Sequence, residues 1–386
     1  MRILCSFAGG AGHLLPQLPI LTAARDAGHR VDVCGRAPAV QVLPPGLADE
    51  VRVRNVVRAD AGGTIAPIAE TTREHERAVI GRHFAGGVAR RSAEEVGALL
   101  ADRPADVVLC DEVDFGARLA AERAGVPCAV VGVIASGAIV QCEIVAGPLA
   151  ALRSELGLDA DPDAARITGE LWLSPFPPAF RDPAFPLPEG ALSIGPASMS
   201  GSAPAPVADD SDRPLVYATL GTEFNIESGD LFSRILAALG RLPIRAVLTV
   251  GGDLDPAGFD APANVRVERF LDTSALLAGC AAVLSHGGSG TVMSAIAHAL
   301  PQLVVPMGAD QPFTADRVEA LGIGRRADAV RSTPGTSRTR SRWSSPTTAC
   351  APGQGAPRRL GPGAGTRGRG AGAGAPRVGA RRAPVG

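Results

Sequence analysis

The chain of 386 residues carries 38 basic and 39 acidic side chains, a formal net charge of −1, and 46% of its residues are apolar. That balance supplies no global attraction to nucleic acid or to an anionic membrane surface, and the apolar share is ample for two buried cores. The seven cysteines (Cys5, Cys34, Cys110, Cys128, Cys142, Cys280 and Cys350) are scattered, with no C-x-x-C pair or Cys/His cluster, so no metal site is expected of them.

An apolar run predicts a strand over residues 2–7, starting at once and without a signal peptide ahead of it. A turn at 9–12, a helix over 14–27 stopped by Gly28, and a strand at 31–34 follow. The same alternation recurs at 105–110, 116–124 and 126–133, with a charged helical region over 71–100 in between. Such βαβ repetition implies a parallel sheet with helices on both faces. Residues 135–195 are less regular and Pro-rich between 175 and 188, and 198–214 reads as a linker. A second series then begins, with strands at 215–220, 244–250, 265–267 and 281–284 and a helix at 231–239. The expected architecture is α/β, two Rossmann-like parallel-sheet domains (1–197 and 215–330) facing a cleft across the linker. No apolar run reaches the roughly 20 residues of a membrane helix, and a soluble cytoplasmic protein is expected.

From 331 to 386 there are eleven Arg, twelve Gly and seven Pro, with no Asp, Glu or Lys. The first 330 residues therefore carry about −12, obtained as −1 minus +11. This basic segment has no RNA-binding motif, so nucleic acid is not expected as a partner. Its composition fits translation out of frame in a GC-rich gene, and disorder is expected there.

Chemistry concentrates in Ser285-His286-Gly287-Gly288-Ser289-Gly290-Thr291, set between an apolar run and a helical run. A strand feeding a Gly-rich turn that opens a helix aims free backbone N–H groups and the positive helix end at one point, a seat for phosphate. His286 adds a donor at its mouth. About twenty residues on, Asp310 and Gln311 present a carboxylate and an amide able to bridge vicinal hydroxyls. Diphosphate plus sugar is the ligand this pair of motifs fits.

With Gly12-His13-Leu14-Leu15-Pro16, Ser174-Pro175-Phe176-Pro177-Pro178, Leu220-Gly221-Thr222 and Phe270-Leu271 in the same order, the chain resembles the family 1 glycosyltransferases of GT-B fold over residues 1–328. The resemblance is to the bacterial enzymes that decorate natural products, of macrolide and enediyne type. It implies that His13 is the general base for an acceptor hydroxyl and that a carboxylate orients it. Asp111 matches that position, with Asp114 and Glu112 near enough in sequence to be confused with it. It also implies that His286, Gly287, Gly288, Ser289, Gly290 and Thr291 hold a diphosphate, Asp310 and Gln311 the sugar, and Gly12, Thr222, Phe270 and Leu271 the rest of the donor. Plant members usually carry Asn where this chain has Gly290.

The implied reaction is inverting transfer of a deoxyhexose from a TDP- or UDP-sugar to a hydroxyl of an apolar aglycone. No metal and no cofactor are required, the nucleotide-sugar being a co-substrate. The hydrophobic small-molecule acceptor is expected between residues 59–100 and 135–152. A donor-binding but inactive remnant is the alternative, because the family's C-terminal helices are replaced by the basic tail. A dinucleotide-dependent dehydrogenase fits less well, since Leu15 stands where a G-x-G-x-x-G turn needs its third Gly.

Overall fold

The computed structural model describes residues 1–54, 65–195 and 212–332. The expected linker up to 211, the part of the acceptor segment at 59–64, and the tail from 333 lie outside the described residues. The first half runs β1 (Arg2–Ser6), α1 (Ala11–Leu14), α2 (Leu18–Asp26), β2 (Arg30–Arg36), α3 (Ala37–Val40), β3 (Glu50–Arg54), α4 (Arg73–Val79) and α5 (Ala89–Asp102). It continues with β4 (Val107–Asp111), α6 (Phe115–Ala124), β5 (Cys128–Val131), α7 (Cys142–Leu156), β6 (Leu171–Ser174) and β7 (Leu192–Ser193). The second half comprises β8 (Leu215–Thr219), α8 (Leu231–Leu239), β9 (Arg245–Thr249), β10 (Val265–Glu268), α9 (Thr273–Ala278) and β11 (Cys280–Ser285). It ends with α10 (Ser289–Ala297), β12 (Gln302–Val304), α11 (Gln311–Ala320) and β13 (Gly324–Arg326).

Among the described residues these strands form two sheets, ordered β3-β2-β1-β4-β5-β6-β7 and β10-β9-β8-β11-β12-β13. Neighbours pair in parallel throughout, as in Cys5 against Val33 and Leu109, or Tyr217 against Val247 and Val283. Both are doubly wound Rossmann-like sheets. In each, the chain leaves the first strand in one direction and later returns to its other side, so the order reverses at β1/β4 and at β8/β11. Crevices of α/β proteins open beyond the carboxyl ends of strands at such reversals. His13, Asp111, Thr222 and His286 all follow or end one of those four strands.

Two helical segments differ from the predicted pattern. The helix expected over 14–27 already turns at Ala11 and tightens to a 3-10 turn over Leu15–Gln17, where Pro16 sits at the first turn and needs no N–H partner. His13 therefore stands in the first helical turn, ahead of the helix start expected at Leu14. The charged region 71–100 is helical, but α4 and α5 are joined by a π-helical stretch, Ile80–Val88, broken at Gly86 (φ −98°, ψ −105°). Gly81 in that stretch lets α7 come close: a Cβ there would lie 2.8 Å from Ile144 Cγ2.

Each sheet has its own cores, and a further one straddles the halves. Ala135, Phe176 and Phe180 pack with Val292 and Met293 of α10, Val304 of β12, and Ala315 and Val318 of α11. Phe313 of α11 is 4% exposed and joins a first-half cluster that includes Ala8, Ile80, Phe115 and Ile139. Burial of a side chain of that size is worth about 1.5–3 kcal/mol. The α10–α11 face thus docks the second sheet onto the first.

Candidate active site

His13 projects from α1, and its Nδ1 lies 3.3 Å from Asp111 Oδ2 at the end of β4. The imidazole is 25% exposed and the carboxylate 0%. Asp111 is held by the backbone on every side. Its Oδ2 accepts from the Ala8 N–H at 2.7 Å, and its Oδ1 from those of Val113 and Asp114 at 2.7 and 3.0 Å. Burial lowers the affinity of His13 for a proton, but the negative charges of Asp111, Asp310 and Glu223 outweigh it, and the imidazole titrates above its ordinary value of 6.5.

The two neighbouring acids are engaged elsewhere. Asp114 caps α6 and sits in a buried network, accepting from Ser6 Oγ at 2.6 Å and from Arg54 Nη1 at 3.1 Å, with the Ser92 hydroxyl as a further donor. Glu112, 3% exposed, accepts from the Val133 and Ile134 N–H groups. Burial pushes its carboxyl up to about 7, against the pull of Arg181 and those two amides. Of the three acids, Asp111 is the one in contact with His13.

In the second half the turn after β11 closes under His286, whose N–H donates to the Thr219 carbonyl at 3.2 Å. Two glycines cradle the ring: a Cβ at Gly221 would lie 2.6 Å from it, and one at Gly288 would lie 2.5 Å from Nε2. Burial lowers the His286 pKa to about 4, so the ring is neutral at ordinary pH and offers a hydrogen bond rather than a fixed charge. Gly287 (φ +92°) turns the chain into α10, with Ser289, Gly290 and Thr291 in its first turn. Gly290 is exposed, and a Cβ on it would meet nothing within 4 Å.

Asp310 stands at the N-cap position of α11 and its carboxylate accepts from Ser289 Oγ at 2.8 Å, while the same hydroxyl accepts from the Ala135 N–H of the first half at 3.0 Å. Burial raises the Asp310 carboxyl, partly offset by Ser289 and by the charge of His13. Gln311, 2% exposed, is turned inward: its Oε1 accepts from the Met307 and Gly308 N–H groups at 2.8 and 3.2 Å. Its carbonyl end shapes the loop that carries Asp310.

Thr222 is exposed beside this turn, as is Gly12 on α1, and Phe270 is 60% exposed with its ring against Gly252. Leu271 packs beneath on the core that holds Val247 and Val283. The structure thus brings His13, Asp111 and Asp310 together across the two halves and sets His286 on the turn beside Gly221.

Sequence patterns carried no signal for two further acids. Glu223 lies against Gly10 in the turn before His13 and approaches Arg36 Nη1 at 3.7 Å, and Glu76 of α4 accepts from the Ala309 N–H at 2.8 Å. Each contact spans the halves and joins residues far apart in sequence, so only the tertiary structure makes them visible. A groove of about 490 Å³ opens between α4 and α7, lined by Glu74, Arg77, Ala78, Arg82, Ile144 and Pro148. Among the described residues no helix is long and apolar enough to cross a membrane, and no three His, Cys, Asp or Glu side chains group as metal ligands.

Residues 233–340 match the model of the erythromycin biosynthesis protein CIII-like C-terminal domain. The elloramycin glycosyltransferase of Streptomyces olivaceus is 31% identical over 348 residues, covering 84% of this chain and 85% of that protein. The L-demethylnoviosyl transferase of Streptomyces niveus is 28% identical, with 84% of each chain covered. Among solved structures, the glycosyltransferase VinC in complex with dTDP superposes with a TM-score of 0.64 at 25% identity over 86% of this chain and 88% of that one. The spinosyn rhamnosyltransferase SpnG gives 0.68 at 24% identity over 84% and 86%.

Proposed function

Because this chain belongs to the GT-B glycosyltransferases of antibiotic pathways, we propose that it moves a deoxyhexose from a TDP- or UDP-sugar to a hydroxyl of an apolar aglycone, with inversion at the anomeric carbon. The observation that carries this reading is the contact of His13 with the wholly buried Asp111, beside Asp310 from the opposite half. His13 takes the proton of the acceptor hydroxyl, and that oxygen attacks the anomeric carbon as the bond to the diphosphate oxygen breaks. Asp111 stabilises the imidazolium that results.

On the other wall, the Gly287–Thr291 amides at the start of α10 and the His286 ring receive the diphosphate, and Asp310 holds sugar hydroxyls. The negative charge of a bound diphosphate would raise the proton affinity of His286 from its low value, strengthening the donor as the leaving group develops charge. Thr222, Phe270 and Leu271 line the nucleoside. The aglycone enters from the first half, and the groove between α4 and α7 is its approach. We assign no metal to the reaction.

The test is product analysis with dTDP- and UDP-hexoses and a panel of polyketide aglycones, with and without EDTA. Expected are a hydroxyl-linked product of inverted anomeric configuration and equal rates in both buffers. Retained configuration, or loss of turnover in EDTA, would overturn the mechanism. Tight dTDP binding without turnover would favour the inactive donor-binding remnant, the reading raised by the composition of residues 331–386.

A further inference from the structure

We propose that Glu76 is a positioning residue for the sugar, setting the loop that carries Asp310 from the opposite half of the molecule. The proposal rests on the assignment of Asp310 as a sugar ligand. Ala309, immediately before Asp310, has φ +53°, a left-handed backbone that a residue with a Cβ adopts only where its surroundings impose it. What imposes it is the carboxylate of Glu76, which accepts the Ala309 N–H at 2.8 Å and is itself held by the Thr71 hydroxyl. Gly308 admits that approach, since a Cβ there would lie 3.4 Å from Glu76 Oε1 and 2.8 Å from the Phe224 ring.

Neighbouring side chains on α4 grip the same element. Arg73 Nε donates to Asp316 Oδ2 on α11 at 2.9 Å, and the Arg77 guanidinium lies 5.0 Å over the Phe313 ring. Positions 73, 76 and 77 share one helical face, and Glu74 and Ala78, one residue round, line the groove toward α7 together with Arg77 at the boundary. One helix therefore touches the acceptor approach with one face and the sugar loop with the next. The sugar-binding carboxylate is complete only when α4 is docked on α11.

The test compares calorimetric affinities for dTDP and for dTDP-glucose in the parent, Glu76→Ala, Glu76→Gln and Asp310→Asn, with the melting temperature of each. Glu76→Ala is expected to weaken dTDP-glucose about tenfold, the scale of one well-placed hydrogen bond, and to leave dTDP within about twofold. Gln keeps an acceptor oxygen for the Ala309 N–H, so Glu76→Gln should recover dTDP-glucose affinity to within about threefold of the parent. Equal losses for both ligands, or no loss for either, would overturn the proposal. If Asp310→Asn loses dTDP-glucose affinity while Glu76→Ala does not, only the role of Glu76 falls. If Asp310→Asn binds dTDP-glucose like the parent, the assignment of Asp310 falls, and this proposal with it.

Discussion

His13 Nδ1 and Asp111 Oδ2 stand 3.3 Å apart, the first on the helix after β1 and the second at the tip of β4, two strands paired side by side at the centre of the first sheet. Adjacent strand ends hold the pair at a fixed spacing, and three backbone N–H groups leave Asp111 no freedom to swing away. If His13 is the base proposed above, the pair stands in place before an acceptor arrives.

The pH profile follows from that contact. Negative charge around His13 favours its protonated form, so the base becomes available only as pH rises through a value above 6.5. The acidic limb of kcat/KM is expected above 6.5 in the parent and at lower pH in Asp111→Asn, with turnover reduced. His13→Ala should lower kcat by about 10²–10⁴-fold and leave dTDP affinity within about twofold. A limb that stays in place in Asp111→Asn would remove Asp111 as its cause.

For the diphosphate turn, two glycine substitutions give opposite outcomes. Gly288→Ala drives a methyl into the His286 ring and should cost about as much kcat/KM as His286→Ala, on the order of 10²-fold. Gly290→Ala places its methyl in open space in the first turn of α10 and should hold or raise the melting temperature, by the equivalent of about 0.5–1 kcal/mol. Thermal unfolding and steady-state kinetics of the two variants separate a cradle from a mere turn.

Stability should carry a signature of Glu112. Its carboxyl titrates near 7 in the folded chain against an ordinary value of 4.5, so the folded state holds a proton that the unfolded state has lost across that window. The stability tied to this proton is complete below pH 4.5, declines as pH rises, and is gone above 7. Glu112→Gln keeps an oxygen for the Val133 and Ile134 amides and cannot ionise. Urea midpoints of variant and parent should therefore diverge in favour of the variant from pH 4.5 to 7 and run parallel above it.

Phe313 ties the halves together from within a first-half core, and Phe313→Ala is expected to destabilise by about 3–5 kcal/mol. Because Phe180, Met293 and Val318 form a second shared core, the parent should melt in one transition. A parent with two separate calorimetric transitions would show that the shared cores do not couple the halves.

Where burial alone set an element, its outline could be read directly. Helix α8 runs over Leu231–Leu239 as its apolar spacing predicts, and β4, β5 and β11 lie within a residue or two of the apolar runs that marked them. The turn at His286 was legible because glycine, histidine and a following helix are local signals. Side-chain hydrogen bonds that depend on the folded backbone were not. The sequence does not show that Gln311 Oε1 accepts from the Met307 and Gly308 amides, or that the Ser289 hydroxyl is shared between Ala135 and Asp310. The π-helical stretch Ile80–Val88 escaped for the same reason, since its place depends on α7 lying against Gly81. The edge strand β3, with Val51 and Val53 exposed, had too little burial to stand out.

The core shared by α10, α11 and the first half also bears on recombination between related enzymes. A donor half is not a free cassette that can be cut out between β7 and β8 and exchanged. Its inner face is shaped to Phe176, Phe180 and Ala135 of its own first half, α11 is gripped by Arg73 and Arg77, and the loop before it by Glu76. Chimaeras that move α4 together with α10 and α11 should keep the seam intact, and those cut only at the junction should inherit mismatched surfaces on either side of the sugar.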